Sequence, residues 1–274
     1  MSAEHRERKV HWLTKRGRMN KALSAIRKLG RILRMVWNGP ASVRQLKARY
    51  GSVNLRAISR IVVFPELGLA YNRIKKNANT STVILLRELQ IKSVETRNYA
   101  KWNALRYFDL DREEWHRLDE MHLFIIIRNP YSRVLSAFLD KFRSERYKRK
   151  HGHFELTPEG FGQFLRWLED GGLKRDAHWD LQTKLMMLPL EKYDTVIRFE
   201  TYREGLRNLL ESRGLTLPPD ALKELYPSDR AKETKSSSKL AQFYTPERAA
   251  IVRRLYAEDF RALGYDTEFP EPLS

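Results

Sequence analysis

The chain has 274 residues, of which 42% are hydrophobic and 11% aromatic, with 52 Lys and Arg against 34 Asp and Glu and no cysteine. That apolar content at this length supports a sizeable core rather than a disordered polymer. The missing cysteines exclude a disulfide framework, a thiolate metal site and a cysteine nucleophile, and no metal site is expected. The net charge of +18 is unevenly spread: residues 1–60 hold sixteen Lys and Arg and two acids, whereas residues 61–274 hold 36 basic and 32 acidic side chains. Basicity is therefore a property of the N-terminal segment.

The first predicted element is a helix over 19–37. Leu23, Ile26, Leu29, Leu33 and Val36 recur there at helical spacing among Lys21, Arg27, Lys28, Arg31 and Arg34, and Asn38-Gly39-Pro40 closes it. Such a basic amphipathic helix packs its apolar stripe on a domain, lies on an anionic membrane surface, or meets an acidic partner, and the pattern admits all three. No segment is apolar for long enough to cross a bilayer and the N-terminus lacks an apolar signal core. The expected location is cytoplasmic, with contact to the inner face of a membrane through 19–37 as one of the three options for that helix. The chain divides into a basic helical extension, residues 1–60, and an α/β domain, residues 61–274.

After a polar stretch from Ser42 to Ser59, three runs read as strands: 69–74 (LAYNRI), 122–127 (HLFIII) and 195–199 (TVIRF). Helical patterns follow each, over 80–90, 131–143 and 201–213. The uninterrupted apolar run at 123–127 suits a strand buried on both faces of a parallel sheet. The expected fold is α/β, a P-loop-like open parallel sheet flanked by helices, with ligands beyond the carboxyl ends of the strands.

Two strand-to-helix turns carry anion chemistry. In the first, Lys75, Lys76, Asn77, Ala78, Asn79, Thr80 and Ser81 join a strand to a helix. Orphan backbone N–H groups, the helix dipole, two hydroxyls and a lysine make a phosphate or sulfate cradle. It is not a Walker loop, because the glycines and the Gly-Lys-Ser/Thr ending are missing. A plain N-cap by Thr80 or Ser81, with solvated lysines, accounts for the same residues. In the second, Arg128 ends the buried strand and Asn129-Pro130 opens a helix. Arg133, Ser136 and Asp140 share one helical face, and Leu135, Phe138 and Phe142 make the apolar one. There the Arg128 fork is placed to grip a phosphate bidentately with Ser136 as a further donor, or to pair with a structural carboxylate.

In this order the two turns resemble the sulfotransferase family, in particular the carbohydrate sulfotransferases and their bacterial relatives. In that family a Pro-Lys-x-[AG]-x-Thr-[ST] turn binds the 5′-phosphosulfate of 3′-phosphoadenosine 5′-phosphosulfate (PAPS). A later Arg-[DN]-Pro-[YF]-x-Arg-[LV]-x-Ser-[AS]-[YF] turn binds its 3′-phosphate. Lys76, Ala78, Thr80 and Ser81 fall on the first pattern and Arg128, Pro130, Arg133 and Ser136 on the second, while Lys75 stands where the family usually has proline. Asp176-Ala177-His178-Trp179 is similar to the family's His-Trp segment, and 193–200 to its following strand with a terminal acid. The likeness spans about residues 69–266.

The resemblance implies sulfuryl transfer from PAPS to an acceptor hydroxyl, with a glycan as the expected acceptor. Lys76 would stabilise the leaving oxygen, with Lys75, Asn77, Ala78, Asn79, Thr80 and Ser81 around the 5′ end. Arg128 and Ser136 would anchor the 3′-phosphate, and Arg133 would assist or hold its helix. His178 leads as general base. His116, His151, His153, Glu113 and Glu200 compete, and a structural role for His178 stays open. Lys232, Lys235 and Ser237 read as a loop over the nucleotide or a solvated linker. Nucleic acid is not expected as a partner, since Trp12, Trp37 and Tyr50 stand without a recognisable base-reading module. The alternative is a basic nucleic-acid- or membrane-surface-binding protein without enzymatic activity.

Overall fold

The computed structural model describes residues 43–44, 46–91, 104–106, 120–216 and 239–270. The helix expected over 19–37, and His116, Glu113, Lys232, Lys235 and Ser237, lie outside them. Among the described residues four strands form one sheet in the order β1-β2-β3-β4: Ile61–Phe64 (β1), Leu69–Asn72 (β2), His122–Ile127 (β3) and Thr195–Arg198 (β4). Helices run over Asn79–Ile91 (α1), Pro130–Lys141 (α2), Glu145–His151 (α3), Pro158–Trp167 (α4), Gln182–Leu185 (α5), Tyr202–Ser212 (α6), Pro246–Leu255 (α7) and Ala257–Leu263 (α8).

The three expected strands are present and parallel, but the sheet is not wholly parallel, because β1 pairs antiparallel with β2. The sequence reading missed β1. Its four residues are all buried, so no alternation marks it. Pro65–Leu67 and a left-handed Gly68 at φ 61° reverse the chain in a short connection, which suits an antiparallel pair and not a parallel one.

Side chains alternate across the sheet as the strand period requires. Val62, Phe64, Tyr71, Phe124, Ile126 and Ile197 pack with Val83 and Leu86 of α1 and Leu206, Leu209 and Leu210 of α6. Tyr71 and Phe124, opposite one another in register, stack with centroids 4.7 Å apart. Gly205 is where α6 meets β4, since a Cβ there would lie 2.7 Å from Ile197 Cγ2. Ile61, Val63, Ala70, Ile125 and Ile127 face the other way, onto Leu46, Ala57, Ile58 and 185–188. Leu46, Ala57 and Ile58 thus belong to the core although they fall within residues 1–60.

A third apolar cluster joins α2, α4, α7 and α8. Asn129, Thr157 and Thr245 cap α2, α4 and α7 through their side chains, each followed by proline at the first helical position. The apolar face of α2 is buried as its spacing predicts: Phe138 meets Phe142, Phe161, Phe164 and Phe243 at centroid distances of 5.8, 5.3, 5.4 and 6.4 Å. Among the described residues no helix is long and apolar enough to cross a membrane.

Phe138→Ala should empty the centre of this cluster and cost about 3–5 kcal/mol. Urea unfolding should show a lower midpoint at unchanged slope, and a loss under about 1 kcal/mol would contradict the packing described.

Candidate functional site

Beyond the carboxyl end of β2 the chain makes a turn that no ordinary backbone would choose. Lys76 and Ala78 have φ of 73° and 52°, left-handed values that cost non-glycine residues roughly 1–2 kcal/mol each. Four carbonyl contacts hold it. Lys75 O accepts from Arg133 Nε at 3.1 Å, Lys76 O from an Arg128 guanidinium nitrogen at 2.9 Å, Asn77 O from the Tyr71 hydroxyl at 3.3 Å, and Ala78 O from Thr82 N and Oγ1. In a trans peptide C=O and N–H point in opposite directions. Pinning these carbonyls turns the N–H groups of Lys76, Ala78 and Asn79 to the other side of the loop. The first turn of α1 adds N–H groups without intrahelical partners. A rigid proline stands in this turn in the family pattern; here tertiary hydrogen bonds do the holding.

Arg128 ends β3 and is tied down at every level. Its backbone N–H donates to Gln182 Oε1 at 3.0 Å and its carbonyl accepts from Gln182 Nε2 at 2.7 Å, so one side-chain amide pairs with it as a neighbouring strand would. Gln182 Oε1 also accepts from Asn77 Nδ2 at 2.7 Å, which joins the two turns. The backbone N–H groups of Gln182 and Thr183 donate to buried Asp259 at 2.8 and 3.0 Å. The Arg128 guanidinium lies 4.0 Å over the Phe199 ring and donates through Nε to Ser132 Oγ at 2.9 Å.

Lys76 projects from the turn to α2, where Nζ meets Asp140 Oδ2 at 3.0 Å, and Lys141 reaches the same oxygen at 3.0 Å. Burial lowers the Lys76 pKa and Asp140 opposes that shift. Burial would raise the Asp140 carboxyl, but hydrogen bonds and charge from Lys141 and Lys76 outweigh it and hold it at about 2. Arg133, on the same face of α2, is fully buried and donates to Ala177 O and Asp180 O as well as to Lys75 O. Its place is inside the scaffold, touching both the turn and the His178 loop. Ser136 and Thr80 are half-buried and Ser81 is buried, and α2 meets the first turn through the Asp140 contact to Lys76 and the Arg133 contact to Lys75 O.

His178 sits in a loop fixed on both sides by those Arg133 bonds. Its Nδ1 lies 2.5 Å from Asp176 Oδ1 and 3.2 Å from the Tyr147 hydroxyl. Burial lowers its pKa, Asp176 raises it, and the charges of Lys141 and Lys75 lower it further. Burial would raise the Asp176 carboxyl, but the hydrogen bonds from the His178 side chain and backbone bring it down to about 2.

Of the competing bases, His151, His153 and Glu200 are among the described residues. His151 is buried against Trp179, with neither ring nitrogen hydrogen-bonded and Nε2 3.8 Å from Asp176 Oδ2. His153 pairs with Glu155 in solvent at 2.6 Å. Glu200 accepts from Asn129 N at 2.9 Å and from the Tyr265 hydroxyl at 2.8 Å, so both oxygens are committed to the scaffold.

The sequence reading gave Asp140, Tyr147, Asp176, Gln182 and Phe199 no role in the site. Asp140 was findable, being on the Arg133 and Ser136 face, and Asp176 stands two residues before His178. Nothing local announces Gln182, whose partners are 54 and 105 residues away.

The family model described as "Sulfotransferase family" matches residues 59–266, which include both turns and the His178 loop. Carbohydrate sulfotransferase 8 of Homo sapiens is 26% identical over 198 residues, 62% of this chain and 45% of its own length. Carbohydrate sulfotransferase 9 of Homo sapiens is 25% identical over 261 residues, 81% and 58%. Carbohydrate sulfotransferase 11 of Danio rerio is 26% identical over 177 residues, 55% and 48%. The chain spans about half the length of the curated relatives it matches. No solved structure matches it significantly.

The Asp176 carboxyl titrates lower in the folded chain than its ordinary value of 3.8. Its contribution to stability is therefore complete above about pH 4 and is lost as pH falls towards 2, for a total on the order of 2 kcal/mol. Asp176→Asn should lose that amount at neutral pH and flatten the acid dependence, leaving the smaller contribution of half-exposed Asp140. Urea midpoints between pH 2 and 6 that vary identically in both proteins would contradict this.

Proposed function

The chain belongs to the sulfotransferase family, and we propose on that footing that it moves the sulfuryl group of PAPS to a hydroxyl of a carbohydrate acceptor by in-line displacement. One observation carries the reading: two cations from the ends of adjacent parallel strands are locked to a single anion-type turn, Arg128 donating to the carbonyl of Lys76 at 2.9 Å. The relatives described above are carbohydrate sulfotransferases, which supports the acceptor class.

The donor is a multiply charged anion, and the residues present suit it. Backbone N–H groups around Lys76, Ala78 and Asn79, with the hydroxyls of Thr80 and Ser81, would hold the 5′-phosphosulfate, with Lys75 and Asn77 completing the turn. Arg128 and Ser136 would take the 3′-phosphate, and Arg133 would keep the turn and the His178 loop in place. Charge develops on the bridging oxygen as the S–O bond breaks. Lys76 is the cation aimed there, released from Asp140 to meet it, and fixed charge in a partly dry site stabilises such a transition state strongly. His178 would accept the proton of the attacking hydroxyl.

Titration calorimetry with 3′-phosphoadenosine 5′-phosphate should show binding to the full chain, and labelled-sulfate transfer to a panel of glycans should find an acceptor. Lys76→Ala should lower turnover on the order of 10²–10³-fold, the usual loss when one such stabilising donor is removed. Absence of nucleotide binding to the unaltered chain would overturn the reading.

A further inference from the structure

We propose that Asp176 is a positioning residue that fixes the proton of the His178 ring on Nδ1, so that Nε2 is the atom that takes the proton of the acceptor hydroxyl. This rests on the sulfuryl-transfer reading for the chemistry, though not for the tautomer. One carboxylate oxygen, Asp176 Oδ1, accepts from the His178 backbone N–H at 3.0 Å and faces Nδ1 at 2.5 Å. A carboxyl held at about 2 is ionised at neutral pH and only accepts, so the hydrogen in that contact belongs to Nδ1. A neutral imidazole with Nδ1–H carries its lone pair on Nε2.

The surroundings fix the ring rather than merely neighbour it. Arg133 holds the carbonyls of Ala177 and Asp180, the Tyr256 hydroxyl donates to Trp179 O at 2.5 Å, and Trp179 Nε1 donates to Gly172 O at 3.0 Å. The His178 side chain keeps 17% of its surface exposed, so the ring is reachable.

Among the described residues, the charged and titratable groups facing His178 are Asp176, Tyr147, Lys141 and Lys75. Burial and the charge of Lys150 lower the His151 pKa, Asp176 raises it and Arg175 lowers it, and its Nε2 stays 3.8 Å from Asp176 Oδ2, outside hydrogen-bond distance. In the transfer step the acceptor oxygen bonds to sulfur and the bridging S–O bond breaks, its electron pair passing to the 5′-phosphate beside Lys76. The acceptor proton passes to Nε2, and the imidazolium so formed faces the Asp176 carboxylate until the proton leaves to water. Asp176 thereby stabilises the charge that appears on His178 as well as aiming the ring.

Two measurements test this on the full chain. Nitrogen-15 NMR of the histidine rings at neutral pH should place the His178 proton on Nδ1, and Asp176→Asn should move it wholly or partly to Nε2. A wild-type ring protonated on Nε2 overturns the proposal, whatever the enzyme's activity.

In the transfer assay Asp176→Asn should lower kcat on the order of 10²–10⁴-fold. The affinity for 3′-phosphoadenosine 5′-phosphate should be unchanged, and the acid limb of the pH profile should move to lower pH because a group that raises the His178 pKa is gone. Asp176→Glu should recover part of kcat. In a His178→Ala background, Asp176→Asn should cost nothing further, since the two act as a unit. A folded Asp176→Asn with wild-type kcat and pH profile, or losses that simply add in the double variant, would overturn the positioning role. If Asp176→Asn does not fold, the wild-type tautomer decides. Failure of nucleotide binding to the wild type would sink the sulfotransferase reading instead, and leave the tautomer result standing by itself.

Discussion

Arg133 carries a full charge in a place with no solvent, and the arrangement of the site follows from the need to satisfy it. A buried guanidinium is tolerated only where acceptors meet its donors, because its hydration is lost on folding. Arg133 finds three carbonyls, Lys75 O in the first turn and Ala177 O and Asp180 O on either side of His178. Asp259 supplies the strongest opposite charge acting on it; burial pushes its carboxyl up and Arg133 pulls it back. One side chain on α2 therefore sets the distance between the anion-type turn and the histidine loop. Neither segment moves without stripping the charge of a partner.

Gln182 does the complementary task without charge. Its amide satisfies both backbone groups of Arg128 just where β3 runs out of strand neighbours, and the same oxygen takes Asn77. Every hydrogen bond in this network is made between buried groups, where leaving one unmade costs about 1–3 kcal/mol. That cooperation explains how left-handed Lys76 and Ala78 are held without glycine. It also explains the electrostatics: the net charge of residues 61–274 is nearly balanced, yet Lys75, Lys76, Arg128 and Arg133 converge on one loop. Asp140 is the acid that reaches Lys76 there.

The local parts of this picture were readable from the chain. The runs 69–74, 122–127 and 195–199 announce three strands, which the fold forms over 69–72, 122–127 and 195–198, and Asn129-Pro130 announces the start of α2. The two faces of α2 follow from spacing of three and four residues. β1 was not readable, because four residues buried on both faces carry no alternation. For Arg133 the sequence left two roles open, assisting at the phosphate or holding its helix, and in the fold its side chain is sealed inside.

The amino-acid sequence by itself determined the fold class, the strand-to-helix turns and the family likeness, because propensity, periodicity and capping act over a few residues and leave local signatures. The tertiary structure alone decided which side chains meet. The Lys76 pair with Asp140 closes over 64 residues and the Asn77 contact with Gln182 over 105. Such contacts are set by how the sheet brings distant segments back together, and no local pattern records them. The Asp176–His178 contact is short in sequence, yet its meaning also waited for the fold, because only the clamp on Ala177, Trp179 and Asp180 turns a nearby acid and histidine into a fixed pair.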